Sequence, residues 1–280
     1  MVWLRELFAK VGHVPSLAAG ERIYAVGDLH GRLDLLRDLL GHVNHDIEMR
    51  APCRTRLVLL GDMIDRGPFS REVLLAVRRL QERTGRVIAL CGNHEEMLLQ
   101  SAAGNGTLQQ VWFDNGGDAT LSSYGLEPVD FMRLDPVVRG RVLTRWLGSE
   151  TLGWLASLPT SYRSGDYFFC HAGVRPGIPL SEQRREDLLW IRNEFLVSRR
   201  RHGAVVVHGH SEAYEVEVKR NRINVDTAAY LFDELTAVGL EGQERWFLST
   251  LRGGGAERGQ GLLKHRATMA AAGRNSGTGD

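Results

Sequence analysis

Three short apolar runs, at residues 22–26, 56–60 and 86–90, are built largely from Ile, Val, Leu and Ala, and each gives way to glycine and polar residues. Runs of this length bounded by turn formers predict buried strands. Between them, LDLLRDLLGHV and SREVLLAVRRLQER repeat apolar residues every three or four positions, the period of an amphipathic helix. Ser70 stands where an N-cap belongs, ahead of Glu72 and Val73. The order β-α-β-α-β predicts a sheet with crossover helices.

After Glu95 the pattern changes. Residues 101–160 carry the glycine clusters GNG and NGG, then helical periodicity around 137–146 and 151–157, and read as an inserted cap. Strand patterns return at 167–170, 204–207, 215–219, 222–225, 235–240 and 245–249, so two packed sheets are expected. Residues 252–280 are Gly-rich and polar, the composition of a disordered tail. At the other end, the spacing of Val2, Trp3, Leu4, Leu7, Phe8 and Val11 predicts one face of a short amphipathic helix within residues 1–20. Residues 21–251 are left as the main domain.

The predicted strands end alike. GDLHG supplies Asp28 and His30, GDMIDRG supplies Asp62, Asp65 and Arg66, GNHEE supplies Asn93 and His94, HAG supplies His171, and HGH supplies His208 and His210. Residues two apart on extended chain share a face, so Asp28 and His30 offer an oxygen and a nitrogen to one point, a pairing suited to a divalent metal. In open α/β sheets ligands gather at the carboxyl ends of strands. Singly, such residues are turn formers or satisfied core histidines, and His13, His42, His45, His202 and His265 are assigned to that class. Five polar clusters on successive strand ends are a different matter.

The motifs GDLHG, GDMIDRG, GNHE, HAG and HGH, in this order, resemble the calcineurin-like metallophosphoesterases, and within them the phosphoprotein phosphatases of bacteria and phage. The stretches EEMLL, WFDNGGDATLSSYG, LLWIR and NVDTAA extend the resemblance over roughly residues 22–249. It implies an α/β fold: a four-layer β-sandwich of two mixed sheets flanked by helices, with a helical cap insertion. It further implies a two-metal centre, with Asp28, His30 and Asp62 on the first ion and Asp62, Asn93, His171 and His210 on the second. Asp62 would bridge, since a carboxylate has two oxygens to share. A donor set of carboxylate, amide and imidazole suits Mn²⁺, Fe or Zn²⁺, with Mn²⁺ preferred. By the same resemblance His94 is the general acid, oriented by Asp65, while Arg66 and Arg192 clamp phosphate. The pattern departs after His210, where the family commonly has Thr and then Pro and this chain has Ser211 and Glu212. His208 is a competitor for the His210 position and is read as a hydrogen-bonding neighbour instead.

Three functions follow as expectations. The first is direct attack of a metal-bound hydroxide on phosphoserine or phosphothreonine, with phosphotyrosine as a further candidate, in proteins. The second is hydrolysis of dinucleoside polyphosphates on the same fold. Relatives of that kind lack the Asp of DRG and carry NHD, so Asp65 and Glu95 favour the first. A dead scaffold would lack a ligand or the acid, and none is missing. Trp112, Phe113 and Tyr124 in the insert are readable equally as a substrate lip or as the cap's own core.

Composition narrows the setting. The 280 residues are 43% hydrophobic and 25% charged with a net charge of +1, which makes neither nucleic acid nor an anionic membrane an obligatory partner. Phosphorylated proteins or small phosphate esters are the expected partners. Of the 35 basic residues, 32 are Arg, a bias assigned to base composition rather than to phosphate binding. Cys53, Cys91 and Cys170 are too scattered for a disulfide framework. No apolar run is long enough to span a bilayer and the N-terminus lacks signal-peptide features, so a cytoplasmic protein is expected.

Overall fold

Strand β1 (Glu21–Val26) is buried at every position, as a central strand covered on both faces must be. It pairs in parallel with β2 (Arg54–Leu59), which pairs in parallel with β3 (Val87–Ala89). On its other side β1 runs antiparallel to β9 (Thr236–Glu241), and β10 (Glu244–Ser249) forms the edge. The structure, a computed structural model, describes residues 13–251. The helix expected near the N-terminus lies mainly, and the tail wholly, outside the described residues.

The second sheet also has five strands, in the order β4 (Ser161–Ser164), β5 (Tyr167–Cys170), β6 (Val205–His208), β8 (Arg222–Asn224), β7 (Glu217–Val218). Its three middle strands are parallel and its two edges antiparallel. Strand alternation sorts the side chains into layers. Ile23 and Ala25 of β1 meet Tyr167 and Phe169 of β5 and Val205 and Val207 of β6 between the sheets. Tyr24 and Val26 face the other way, onto α1 (Leu33–Glu48) and α2 (Ser70–Thr84) through Leu36, Leu39, Val73 and Val77. Phe168, Cys170 and Val206 pack outward against the short helices α8 (Arg185–Trp190) and α9 (Asn193–Leu196). Helix, sheet, sheet, helix is the expected four-layer sandwich of two mixed sheets.

Residues 93–156 are mainly helical: α3 (Asn93–Ala102), α4 (Gly106–Trp112), α5 (Asp118–Ser123), α6 (Pro128–Arg133) and α7 (Pro136–Ala156). The two helices expected at 137–146 and 151–157 correspond to α7, which breaks at Gly148, where φ is 78°. The insert has no separate core. Trp112, Leu121, Phe131, Leu143 and Leu155 join the cluster formed by α1, α2 and the first sheet, and Phe113 and Tyr124 pack against its border. The aromatic residues are therefore packing residues rather than a lip. Strand β4 escapes the sequence pattern because SYRS is a polar edge strand. Ser70 opens α2 without capping it, and its hydroxyl accepts the backbone N–H of Asp65 instead.

Phe169 is fully buried where the two sheets meet. Phe169→Ala is expected to cost ~3–5 kcal/mol of folding stability, read by chemical denaturation.

Candidate metal centre

The five motifs converge because the parallel strands of both sheets deliver their carboxyl ends to one edge of the sandwich. Loops carry the side chains the last few ångströms. Leu29 and His30 donate their backbone N–H groups to the carbonyl of Asp62 at 3.0 and 2.9 Å, which stitches the first loop to the second. Of seven non-glycine residues with positive φ among those described, five are His30, Asp62, Asp65, Arg66 and His210, at 43° to 72°. Such conformations cost ~1–3 kcal/mol each and persist where surrounding contacts enforce them. They also correct the strand-face argument for Asp28 and His30: β1 ends at Val26, and the pair lies on a turn with left-handed backbone at His30.

Asp62 belongs to two groups of donors. His30, Asp62 and His94 bring ligand atoms within 4.8 Å of one another, and so do Asp62, His171 and His210. Asn93 joins the second group, with its Oδ1 at 2.8 Å from His171 Nε2. The tautomers follow from the other ring nitrogens. His30 Nδ1 donates to the Ile64 carbonyl at 2.8 Å and His171 Nδ1 to that of Leu60 at 3.0 Å, leaving both Nε2 lone pairs directed inward. Lone pairs of His171 Nε2, Asn93 Oδ1 and Asp62 Oδ1, the last 3.4 Å from the ring nitrogen, thus face one another. That arrangement suits a cation.

The electrostatics agree. Burial, with His94 beside it, holds His30 well below the usual imidazole range, and burial with His171 beside it does the same to His210. Both rings are neutral and able to ligate. Burial alone would raise the Asp62 carboxyl, but the imidazoles of His171 and His94 hold it well below the carboxylate range. Asp28 stands apart from both groupings. Its Oδ2 accepts the His210 backbone N–H at 3.0 Å, and its Oδ1 is buried without a hydrogen-bond partner, 4.0 Å from His171 Nδ1. Burial, then repulsion from Asp226 and Asp62, raises the Asp28 carboxyl. His210 Nε2 is likewise buried without a partner. These orphaned atoms and crowded carboxylates fit divalent ions. The fold brings Asp62, Asn93, His171 and His210 together, whereas the other grouping contains His94 in place of Asp28.

On extended chain, neighbours such as Asn93 and His94 would face apart. Both instead open α3, so the backbone N–H of His94 reaches Asp62 Oδ1 at 3.1 Å while its Nδ1 donates to Asp65 Oδ2 at 2.6 Å. Burial alone would lower the imidazole, but the Asp62 charge and the Asp65 bond prevail and raise it, which favours the charged form of His94. Asp65 is completely buried, and the insert secures it: Trp112 Nε1 donates to its Oδ2 at 2.9 Å and Thr120 Oγ1 to its Oδ1. Arg66 pairs with Glu212 at 2.6 Å rather than with Asp65. Arg192 is exposed, and its charge acts on His210. His208 points away from the centre, packing edge-on against Phe195 with ring centroids 5.0 Å apart.

Two further acidic residues shape the site. Glu95 accepts the backbone N–H groups of Gly92, Asp62 and Met63 at 2.8, 2.9 and 2.8 Å, tying the loop after β2 to the start of α3. Sequence reasoning used Glu95 only to discriminate between relatives. Asp226 is buried near Asp28 with one oxygen unpartnered, and its only signal was the NVDTAA stretch. Glycine is required at two close approaches: a Cβ on Gly92 would strike Asp62 Oδ1, and one on Gly209 would strike Asp28 Oδ1.

Glu95→Gln turns a donor toward one of those three N–H groups. It is expected to lower divalent-metal affinity by about 10–100-fold in calorimetric titration, as loss of supporting hydrogen bonds around ligands does.

The sequence profile of the calcineurin-like phosphoesterases matches residues 21–238. The chain is 32% identical over 154 residues to the symmetrical bis(5'-nucleosyl)-tetraphosphatase of Methylococcus capsulatus, an alignment covering 55% of this chain and 44% of that protein. It is 29% identical over 181 residues to serine/threonine-protein phosphatase 1 of Salmonella typhimurium, covering 64% and 71%. The chain spans about half the length of the curated tetraphosphatases it matches. A solved structure named as a candidate diadenosine tetraphosphatase superposes over 85% of this chain and all of its own, with a TM-score of 0.58 at 21% identity, a likeness of fold. With the profile covering most of its length and the same sandwich beneath it, the chain belongs to the calcineurin-like phosphoesterase family.

Proposed function

We propose that this protein is a dinuclear metal-dependent phosphoesterase in which water displaces the leaving group directly. The observation that carries this reading is the single buried carboxylate of Asp62 shared by two converging donor groups. His30, Asp62 and Asp28 would hold one divalent ion, and Asp62, Asn93, His171 and His210 the other. Mn²⁺ is our choice among the ions that suit oxygen and nitrogen donors without thiolate. Such a pair of ions supplies an acidified water and charge stabilisation for phosphoryl oxygens.

The chain's own residues account for the rest. Arg66 and Arg192 approach from opposite donor groups and bind the outer phosphoryl oxygens. His94 carries a proton at the edge of the centre and delivers it to the departing oxygen. Asp65 fixes the ring and stabilises its charged form, and the contacts from Trp112 and Thr120 keep Asp65 from turning away.

On substrate, the relatives' names weigh toward a dinucleoside tetraphosphate, and that reading is placed first. This reverses the order that Asp65 and Glu95 suggested from sequence. Glu95 spends its carboxylate on three backbone N–H groups, so it supports the metal loops and does not discriminate substrates. One observation still favours the second reading, a phosphomonoester of serine or threonine. An alkoxide leaving group requires protonation far more than a nucleotide phosphate does, and the buried Asp65–His94 pair is built to provide it.

The deciding experiment compares Mn²⁺-loaded protein acting on diadenosine tetraphosphate, read as nucleotide products, with a phosphothreonine peptide, read as phosphate. Faster nucleotide release supports the first reading, faster phosphate release the second, and activity on neither with metal bound overturns both.

Asp62→Asn is expected to lose both ions in metal analysis and to lower hydrolysis below detection. Two tightly held ions with normal turnover would refute the shared-carboxylate assignment. His94→Asn is expected to keep the metals and slow alkyl phosphate hydrolysis by about 10²–10⁴-fold, with a smaller loss on an aryl phosphate, whose phenolate leaves without help. Equal losses on both esters would make His94 an orienting group.

A further inference from the structure

We propose that Glu212 is a built-in competitor for the substrate's phosphoryl group, occupying the Arg66 guanidinium until phosphate takes its place. The inference rests on the phosphoesterase reading and adds a residue that sets how tightly phosphate is held.

Arg66 is anchored by its backbone, with φ at 67° and its N–H donated to the Gly116 carbonyl at 3.0 Å. Its side chain reaches the loop after β6, where Nη1 donates to Glu212 Oε1 at 2.6 Å. The Tyr230 hydroxyl donates to the same oxygen at 2.9 Å, and the guanidinium lies 4.4 Å from the centre of the Tyr230 ring. That ring also meets His30 edge-on, with centroids 5.2 Å apart, so the cluster borders the metal centre. Glu212 lies two residues after His210, so the loop that carries a donor to the centre also carries this carboxylate.

A carboxylate and a phosphoryl group present the same thing to a guanidinium, a pair of anionic oxygens. Arg66 cannot give its full fork to both. The Glu212 side chain is 39% exposed against 20% for Arg66, so the anion is the partner with room to swing outward. An incoming phosphate therefore meets both a filled clamp and a like charge. Both effects weaken the binding of substrate and of product phosphate, and the product benefits from faster release. Tyr230 keeps the exchange orderly: its ring holds the guanidinium in place while its hydroxyl steadies the carboxylate.

The test is inhibition by inorganic phosphate, measured on the metal-loaded full chain hydrolysing an aryl phosphate. Glu212→Gln and Glu212→Ala are both expected to lower the phosphate inhibition constant and KM by about two- to fivefold, the scale of a partly exposed ion pair. Glu212→Ala placed on Arg66→Ala is expected to add little, because the competition has lost its object. The proposal is overturned if Glu212→Ala raises both constants and Glu212→Gln restores them, which would make Glu212 a prop for Arg66. Unchanged constants in both variants would overturn it too. Failure of the phosphoesterase reading would look different: the unaltered protein would hydrolyse no phosphate ester. Calorimetric titration of phosphate into the three metal-loaded proteins would then test Glu212 without turnover.

Discussion

Everything at the centre of this molecule is arranged around one buried negative charge, the carboxylate of Asp62. A lone carboxylate in an apolar interior is costly, and it persists only where opposing charge and hydrogen bonds compensate it. Here the compensation comes from imidazoles on both sides and from the backbone N–H of His94. Its place is secured by a second buried acid, Glu95, which accepts the N–H groups on either side of the loop. The two donor groups share Asp62, so a shift of this loop would disturb both at once.

The loops accept unfavourable backbone at five positions to achieve this convergence. What sustains that cost is the sandwich beneath. Parallel strands packed on both faces cannot slide, because a one-residue slip would move every core side chain to the wrong layer. The ends of β1, β2, β3, β5 and β6 are therefore held in register, and short loops suffice to bring donor groups of one sheet to those of the other. Rigidity of the scaffold and strain of the site are complementary features of a preorganised centre.

The insert is part of this design. Its helices complete the main core rather than capping it, and the same residues that fill that core reach the chemistry. Trp112 buries its indole among Leu, Met and Phe side chains while its N–H holds Asp65. Gly116, in the irregular turn between α4 and α5, receives the backbone N–H of Arg66. Packing and orientation are thus coupled, and a change in the insert would be felt at His94 and Arg66.

Much of this was legible in the chain itself. Short apolar runs marked nearly every strand, and the Asp, Asn and His residues that follow five of them are ones the fold gathers at one edge, because burial period and chain position are both local in sequence. Edge strand β4 was not legible, since a polar edge has no apolar pattern to show. Nor was the helical start at Asn93, where the same letters read as extended chain. Only the tertiary structure decided that Asp28 lies against His210, 182 positions away, and that Glu212 takes the guanidinium of Arg66. Only it revealed Glu95 as the organiser of two loops. The physical reason is common to these cases: the partners are backbone N–H groups or side chains distant along the chain. Every residue but proline carries the same N–H, so its role is written in where the fold places it and not in the letter of the sequence.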